Sequence, residues 1–261
     1  MEFLSAVHTD KGIKKNTNQD SVLIKEAVTD HGKVFFAAVC DGMGGLAKGE
    51  VASATLVRAF SDWFENRFPV FLYEKRTADG IDRIEMENDL NRLILDVNSR
   101  ISAYGQQFHA ALGTTAAMIL FAEGRYYILN IGDSRVYRLK GQTISRLTKD
   151  QTFVQKEIDM GRMTPEEAKT HPQRNVLLQC VGASEVIIPE FEHGTYGPDE
   201  VYMICSDGFR HVITEEEFVK LMAPGQIKEE KDLQNAAVYF TELNKSRQEK
   251  DNISVILLKT C

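Results

Sequence analysis

The chain has 261 residues, 43% of them hydrophobic and 26% charged, the make-up of a soluble globular protein with room for one well-buried core or two small ones. Its formal net charge of −7, without any dense Lys/Arg run, argues against a nucleic-acid or anionic-membrane partner. No apolar stretch is long enough to span a bilayer, and Met1-Glu2-Phe3-Leu4-Ser5 lacks the basic and apolar runs of a signal peptide.

Three strand-like segments come first, near 3–9, 20–27 and 33–40, with a His31-Gly32 turn between the last two. A helix follows, because Val51, Ala52, Thr55, Leu56, Ala59, Phe60, Trp63 and Phe64 recur at near four-residue intervals. Residues 74–88 read as a polar, mobile connection. A second helix is predicted from about 85 to 108, with Leu90, Leu93, Ile94, Val97, Ile101 and Tyr104 on one face. Strands at 114–121, 125–131, 135–140 and 142–146 succeed one another without a helix, joined by Ala122-Glu123-Gly124 and Lys140-Gly141-Gln142. Segment 148–180 is polar and interrupts the strands; within it Thr164-Pro165-Glu166-Glu167 marks a helix start with proline in its first turn. Strands resume at 186–195 and 200–205. Two helices then run over Thr214–Met222, capped by Thr214 with Glu217 three residues on, and over about 229–246. The chain closes on the strand Ile253–Leu258. Hairpin-linked strands and paired helices, with no repeated βαβ unit, predict an α+β fold with mainly antiparallel sheet. With no internal repeat, low-complexity tract or linker, residues 1–261 read as one domain.

Three aspartates stand where apolar runs stop: Val34–Cys40 runs into Asp41-Gly42, Tyr126–Ile131 into Gly132-Asp133, and Val201–Cys205 into Ser206-Asp207-Gly208. Asp20 follows an Asn-rich turn and Asp251 precedes the last strand. A carboxylate at a strand end is rigidly held and faces solvent, which suits it to a hard cation such as Mg²⁺ or Mn²⁺. The four cysteines, Cys40, Cys180, Cys205 and Cys261, form no CxxC and no ligand-spaced cluster, so a reduced, cytoplasmic compartment is expected.

The motifs in order are Thr9-Asp10-Lys11-Gly12, Asn16-Thr17-Asn18-Gln19-Asp20-Ser21, Asp41-Gly42-Met43-Gly44-Gly45, Leu112-Gly113-Thr114-Thr115, Gly132-Asp133-Ser134-Arg135, Ser206-Asp207-Gly208 and Asp251-Asn252. Over essentially the whole chain this series resembles the metal-dependent serine/threonine protein phosphatases of type 2C, in their compact bacterial form. Segment 148–180, with Thr164–Glu167 and His171-Pro172-Gln173-Arg174, resembles their flap. The resemblance implies two stacked antiparallel β-sheets flanked on both sides by pairs of antiparallel helices, with the site at one end. It implies hydrolysis of phosphoserine and phosphothreonine in proteins by in-line attack of a water bridging two Mn²⁺ or Mg²⁺ ions. Asp41 then bridges the ions, the Gly42 carbonyl completes the second, and Asp207 and Asp251 are terminal ligands of the first. Asp20 joins them at the metal site. Asp133, with Asp207, resembles the carboxylates that hold a third and weaker ion. The implied partners are phosphorylated proteins and a cognate serine/threonine kinase, and a monomer is expected.

Three residues depart from the family pattern. Gln19 stands where many members carry Glu, which removes a negative charge near the second ion. Lys15 replaces an arginine that contacts substrate phosphate, offering a charge but no bidentate fork. Met43 replaces the histidine that resembles the general acid of eukaryotic members, so a metal-bound water or another group protonates the leaving alkoxide. The alternative to an active enzyme is a weak pseudophosphatase acting as a regulatory binding module. Ser134 as a hydrolase nucleophile, with Asp207 and His211 as partners, lacks a G-x-S-x-G elbow. Arg135 reads as a structural partner for a nearby carboxylate.

Overall fold

A computed structural model of the chain describes residues 1–44, 48–78 and 80–261. Gly45, at the end of the Asp41 motif, and Asp79, in the polar connection, lie outside the described residues. In chain order the strands are β1 (Phe3–Asp10), β2 (Asp20–Thr29), β3 (Gly32–Gly44), β4 (Arg76–Thr77), β5 (Gly80–Ile81), β6 (Leu112–Thr114), β7 (Ala116–Ala122), β8 (Arg125–Ile131), β9 (Arg135–Lys140), β10 (Thr143–Arg146), β11 (Glu190–Thr195), β12 (Glu200–Cys205) and β13 (Ile253–Thr260). The helices are α1 (Gly49–Asn66), α2 (Phe68–Tyr73), α3 (Arg83–Gln107), α4 (Phe153–Asp159), α5 (Pro165–Thr170), α6 (Asp207–Arg210), α7 (Glu215–Met222) and α8 (Glu230–Ser246), with a 3₁₀ turn at Pro224–Gln226.

One sheet has the order β1-β13-β12-β9-β10, and the other β11-β8-β7-β3-β2 with β6 also on β3. Their ladders are antiparallel. The two-residue period of β3 shows how the layers form. Phe35, Ala37 and Val39 meet Ile119, Phe121, Tyr202, Ile204 and Ile256 between the sheets. Phe36, Ala38 and Cys40 face Leu56, Phe60, Trp63, Leu90 and Ile94 of α1 and α3. On the other side, Met203, Cys205, Val255 and Leu257 meet Phe218, Leu233 and Phe240 of α7 and α8. This is the expected α+β architecture of two stacked antiparallel sheets with helices on both faces.

Local chemistry explains most element limits. The carboxylate of Asp82 accepts the Glu85 N–H at 3.1 Å, so α3 starts at Arg83 rather than inside a mobile connection. Residues 74–88 also hold the β4–β5 hairpin, tied down where Glu123 accepts the Ile81 N–H at 3.2 Å. Thr214 and Glu217, and likewise Thr164 and Glu167, form reciprocal capping boxes at α7 and α5. The expected strand at 186–195 begins only at Glu190. Upstream, the Gln179 side chain takes both backbone groups of Ile188, accepting from its N–H at 2.9 Å and donating to its carbonyl at 2.7 Å. Periodicity alone did not reveal α2, α4, α6 or β6, each seven residues or fewer. No helix among the described residues is long and apolar enough to cross a membrane.

Candidate metal centre

Asp41 is not at a strand end. β3 continues to Gly44, pairing with β7 as far as Val39↔Ala117 and with β6 from Gly42↔Thr114. At the joint, the Thr115 N–H donates to the Asp41 carbonyl at 2.9 Å, and the Asp41 N–H donates to Thr115 Oγ1 at 2.9 Å. Asp41 is thus clamped where one strand changes partners. Asp20, the first residue of β2, lies directly across the ladder from it. Asp207 opens α6 instead of ending a strand, because the chain leaving β12 turns at once into a helical turn closed by the His211 N–H on the Asp207 carbonyl at 3.0 Å.

Gly42 has a packing requirement that does not depend on any ligand. A Cβ there would stand 2.3 Å from the Gly49 carbonyl oxygen and 2.4 Å from that of Gln19. Only glycine lets β3, the Gln19 turn and the start of α1 meet. At Gly208 a Cβ would stand 2.1 Å from the Asn252 carbonyl oxygen, so the Asp207 and Asp251 motifs also touch through a glycine.

Asn252 links the remaining pieces. Its Oδ1 accepts the Gln19 N–H at 2.9 Å, and its Nδ2 donates to the carbonyls of Lys11 at 2.9 Å and Thr17 at 3.1 Å. The Lys11–Gln19 loop is thereby stapled to the turn that carries Asp251. From that loop Lys15 reaches Asp251, Nζ to Oδ1 at 2.8 Å. Burial alone would lower the Lys15 pKa, but Asp251 beside it, with Asp41 and Asp207 beyond, carries it above its usual value. The Gln19 amide lies 3.4 Å from Glu50 Oε2 at the start of α1.

The predicted carboxylates converge. Burial pushes Asp41 well above the usual carboxylate range, and the charges of Asp20, Asp207, Asp251 and Asp133 push it further. Burial, then Asp207 and Asp251, raises Asp20 to about 7. Burial and Asp207 raise Asp133 to about 7 against the opposing charge of Arg210. Among the described residues, both oxygens of Asp20 and Oδ1 of Asp207 are buried without a hydrogen-bond partner. The hydroxyls of Ser254 and Ser206, which also respectively bond Thr9 at 2.7 Å and accept the Ser254 N–H at 3.1 Å, face Asp20 and only partly offset the rise. Crowded acidic groups with orphaned oxygens are costly unless a cation compensates them, so the donor set fits hard divalent ions. Among the described residues no group of three or more His, Cys, Asp or Glu side chains is placed to hold a metal ion by itself. A Mg²⁺-type site takes one or two carboxylates per ion together with carbonyl oxygen and water.

Reading the sequence missed Arg210 and Glu249 behind these groups, and named His211 only as a partner of Asp207 in the serine-nucleophile alternative. Arg210 Nη2 donates to the Asp133 carbonyl at 2.9 Å. His211 stands between Asp207 and Glu249, Nε2 at 3.4 Å from Asp207 Oδ2 and Nδ1 at 3.5 Å from Glu249 Oε2. Glu249 Oε1 in turn accepts the N–H groups of Lys250 at 2.7 Å and Asp251 at 3.0 Å. The available signal was the placement of a basic pair three and four residues after Asp207, which a helical turn folds back. Arg135 is structural as expected, gripping Asp150 through Nε at 2.7 Å and Nη2 at 2.5 Å. Ser134 is buried with its hydroxyl on Thr115 at 2.7 Å, which leaves the serine-nucleophile alternative without support. Burial also pushes the Cys205 thiol up to about 12, far from a reactive thiolate.

Comparison with known proteins agrees with this geometry. The family profile described as Protein phosphatase 2C matches residues 9–237. The serine/threonine phosphatase Stp of Listeria innocua is 29% identical over 253 residues, covering 96% of this chain and 93% of its own. The crystal structure of the Mycobacterium tuberculosis serine/threonine phosphatase PstP/Ppp superimposes with a TM-score of 0.79 at 30% identity, covering 99% of this chain and 98% of that one. The catalytic domain of PstP, solved in complex with two manganese ions, gives a TM-score of 0.77 at 28% identity, covering 98% and 97% of the two chains. A buried carboxylate cluster at the edge of stacked sheets and a profile match over most of the chain lead to one assignment: the chain belongs to the protein phosphatase 2C family.

Proposed function

We propose that the chain is a protein serine/threonine phosphatase dependent on Mn²⁺ or Mg²⁺. The observation that carries this reading is the convergence of Asp20, Asp41, Asp207 and Asp251 at one partly buried site, with orphaned oxygens on Asp20 and Asp207 and, among the described residues, no competent side-chain nucleophile. Two core ions would be held by Asp41, the Gly42 carbonyl, Asp207 and Asp251, with Asp20 adding negative charge behind Asp41. When bound, such ions lower the pKa of a water for in-line attack and screen charge on the phosphoryl oxygens.

The chain's own residues supply the rest. The Asp41 backbone is held by the Thr115 clamp, which fixes the point from which its carboxylate projects. Asp251 spends Oδ1 on Lys15 and on the Asn252 N–H at 2.8 Å, which fixes its orientation. Lys15, with a side chain 40% exposed, lies at the mouth of the site and can swing from Asp251 to a phosphate monoester. Segment 148–180 is the flap of a catalytic domain spanning 1–261, and it selects among phosphoprotein substrates. It is anchored beside Asp133, where the Gln151 N–H donates to the Gly132 carbonyl at 2.9 Å and Gln151 Oε1 accepts the Gly132 N–H at 2.8 Å. We further infer a cytoplasmic monomer working opposite a serine/threonine kinase. Free, mostly buried cysteines support the reducing compartment.

Turnover of a phosphothreonine peptide tests the reading. Activity should vanish on chelation, return with Mn²⁺, and be lost in Asp41→Asn. Wild-type protein that binds Mn²⁺ without turnover would instead establish the pseudophosphatase alternative.

A further inference from the structure

Asp133 and Asp207 are the carboxylates that the family resemblance assigns to a third, outer ion, and in this chain both meet basic side chains of one helical turn. The Arg210 side chain is 10% exposed, as is that of Asp133, and Nη2 lies 2.9 Å from the Asp133 carbonyl oxygen and 3.5 Å from Oδ2. The adjacent His211 sets Nε2 3.4 Å from Asp207 Oδ2. Asp207 Oδ1 is left without a partner among the described residues. One oxygen of Asp207 is therefore left free for a ligand and the other faces a side chain.

Charge counting points the same way. Asp150 lies 3.9 Å from Arg210 and is already held by Arg135. Asp133 and Asp150 thus face the guanidiniums of Arg210, Arg135 and Arg146, and these two carboxylates are balanced without a further cation. A divalent ion on Asp133 would stand within a few ångströms of a guanidinium that cannot lose its proton. Its burial and its bond to the Asp133 carbonyl keep that guanidinium from moving aside.

We propose that Arg210 is a built-in replacement for the third ion: it sets a fixed positive charge beside Asp133 and positions it, and the chain holds two divalent ions, not three. The expected role of Asp133 as a metal ligand is replaced by that of a positioning residue. Metal dependence should then saturate in a single phase, with no weaker second rise. The inference rests on the phosphatase reading only for the existence of the core pair.

Counting bound Mn²⁺ by titration calorimetry, with sites located by anomalous diffraction, tests it. Wild type should bind two equivalents up to millimolar Mn²⁺, and Asp133→Asn should bind the same two. Arg210→Ala should gain a third, weaker equivalent that disappears again in the Arg210→Ala/Asp133→Asn double variant, while Arg210→Lys stays at two. A third equivalent in wild type that is lost in Asp133→Asn would overturn the proposal, as would an Arg210→Ala protein that still binds only two. Should Arg210→Ala fail to fold, the comparison of wild type with Asp133→Asn decides alone. Fewer than two equivalents in wild type would overturn the phosphatase reading and this proposal with it, whereas three would overturn only the proposal.

Discussion

Asn252 touches no reacting atom, yet it joins segments more than two hundred residues apart. Its side chain makes three hydrogen bonds, to Gln19, Lys11 and Thr17, at a position only 2% exposed. At about 1 kcal/mol net for each bond, Asn252→Ala should cost about 3 kcal/mol, read from urea midpoints. It should also weaken Mn²⁺ binding, because Asp251 loses its neighbour's fixed backbone. Lys15 poses a different question, since it already pairs with Asp251. A mobile point charge mostly contributes ground-state binding, so Lys15→Ala should raise KM for a phosphopeptide more than it lowers kcat, and Lys15→Arg should retain activity. An unchanged kcat/KM in Lys15→Ala would show that the side chain serves only Asp251.

The flap is tied to the sheet by a buried ion pair. At its start Asp150 is held by Arg135 of β9 through a two-bond fork, with side chains 10% and 19% exposed. Removing one partner of a buried pair leaves a stranded charge and typically costs 3–5 kcal/mol, so Asp150→Ala should lose about 3 kcal/mol and loosen the flap base. Faster proteolysis within 148–180 would report that loosening. Further out, α4 and α5 are short, α4 mostly half-buried and α5 mostly exposed. Changes there should act on substrate choice, as is usual for surface segments beside a site. Arg174→Ala should lower rates on phosphoproteins more than on a small aryl phosphate, and equal losses on both would assign the flap a catalytic or folding role.

At the scale of the molecule, the site trades stability for readiness to bind cations. Asp20 is raised from 3.8 to about 7. In chelated protein the folded state therefore binds more protons than the unfolded state between about pH 4 and 7, so stability falls as pH rises through that window. Chelated protein should melt several degrees higher at pH 5 than at pH 7.5. Metal binding requires ionised carboxylates and reverses the trend. Mn²⁺ should bind more weakly at pH 6 than at pH 8, and at pH 6 it should release protons, measurable as a buffer-dependent calorimetric heat. Identical melting of chelated protein at both pH values would show that these carboxylates are not protonated together.

The sequence by itself carried the order of strands and long helices, the Thr214 cap and the helix start at Thr164, the α+β class and the identity of the clustered carboxylates. Those features follow from local rules: a two-residue period buries one face of a strand, and a near four-residue period one face of a helix. It also carried the glycines at 42 and 208, although not the reason for them, which is contact with Gly49, Gln19 and Asn252. Only the tertiary structure decided that Asp41 sits at a joint between β7 and β6 and that Asp207 begins a helical turn. It alone set Arg210 against Asp133 and His211 between Asp207 and Glu249. Each of these depends on which distant backbone closes against which. Arg210 and Asp133 are 77 residues apart, and Asn252 and Gln19 are 233 apart. Local periodicity reports that a side chain is buried, whereas its partner is chosen by chain closure across the sheets.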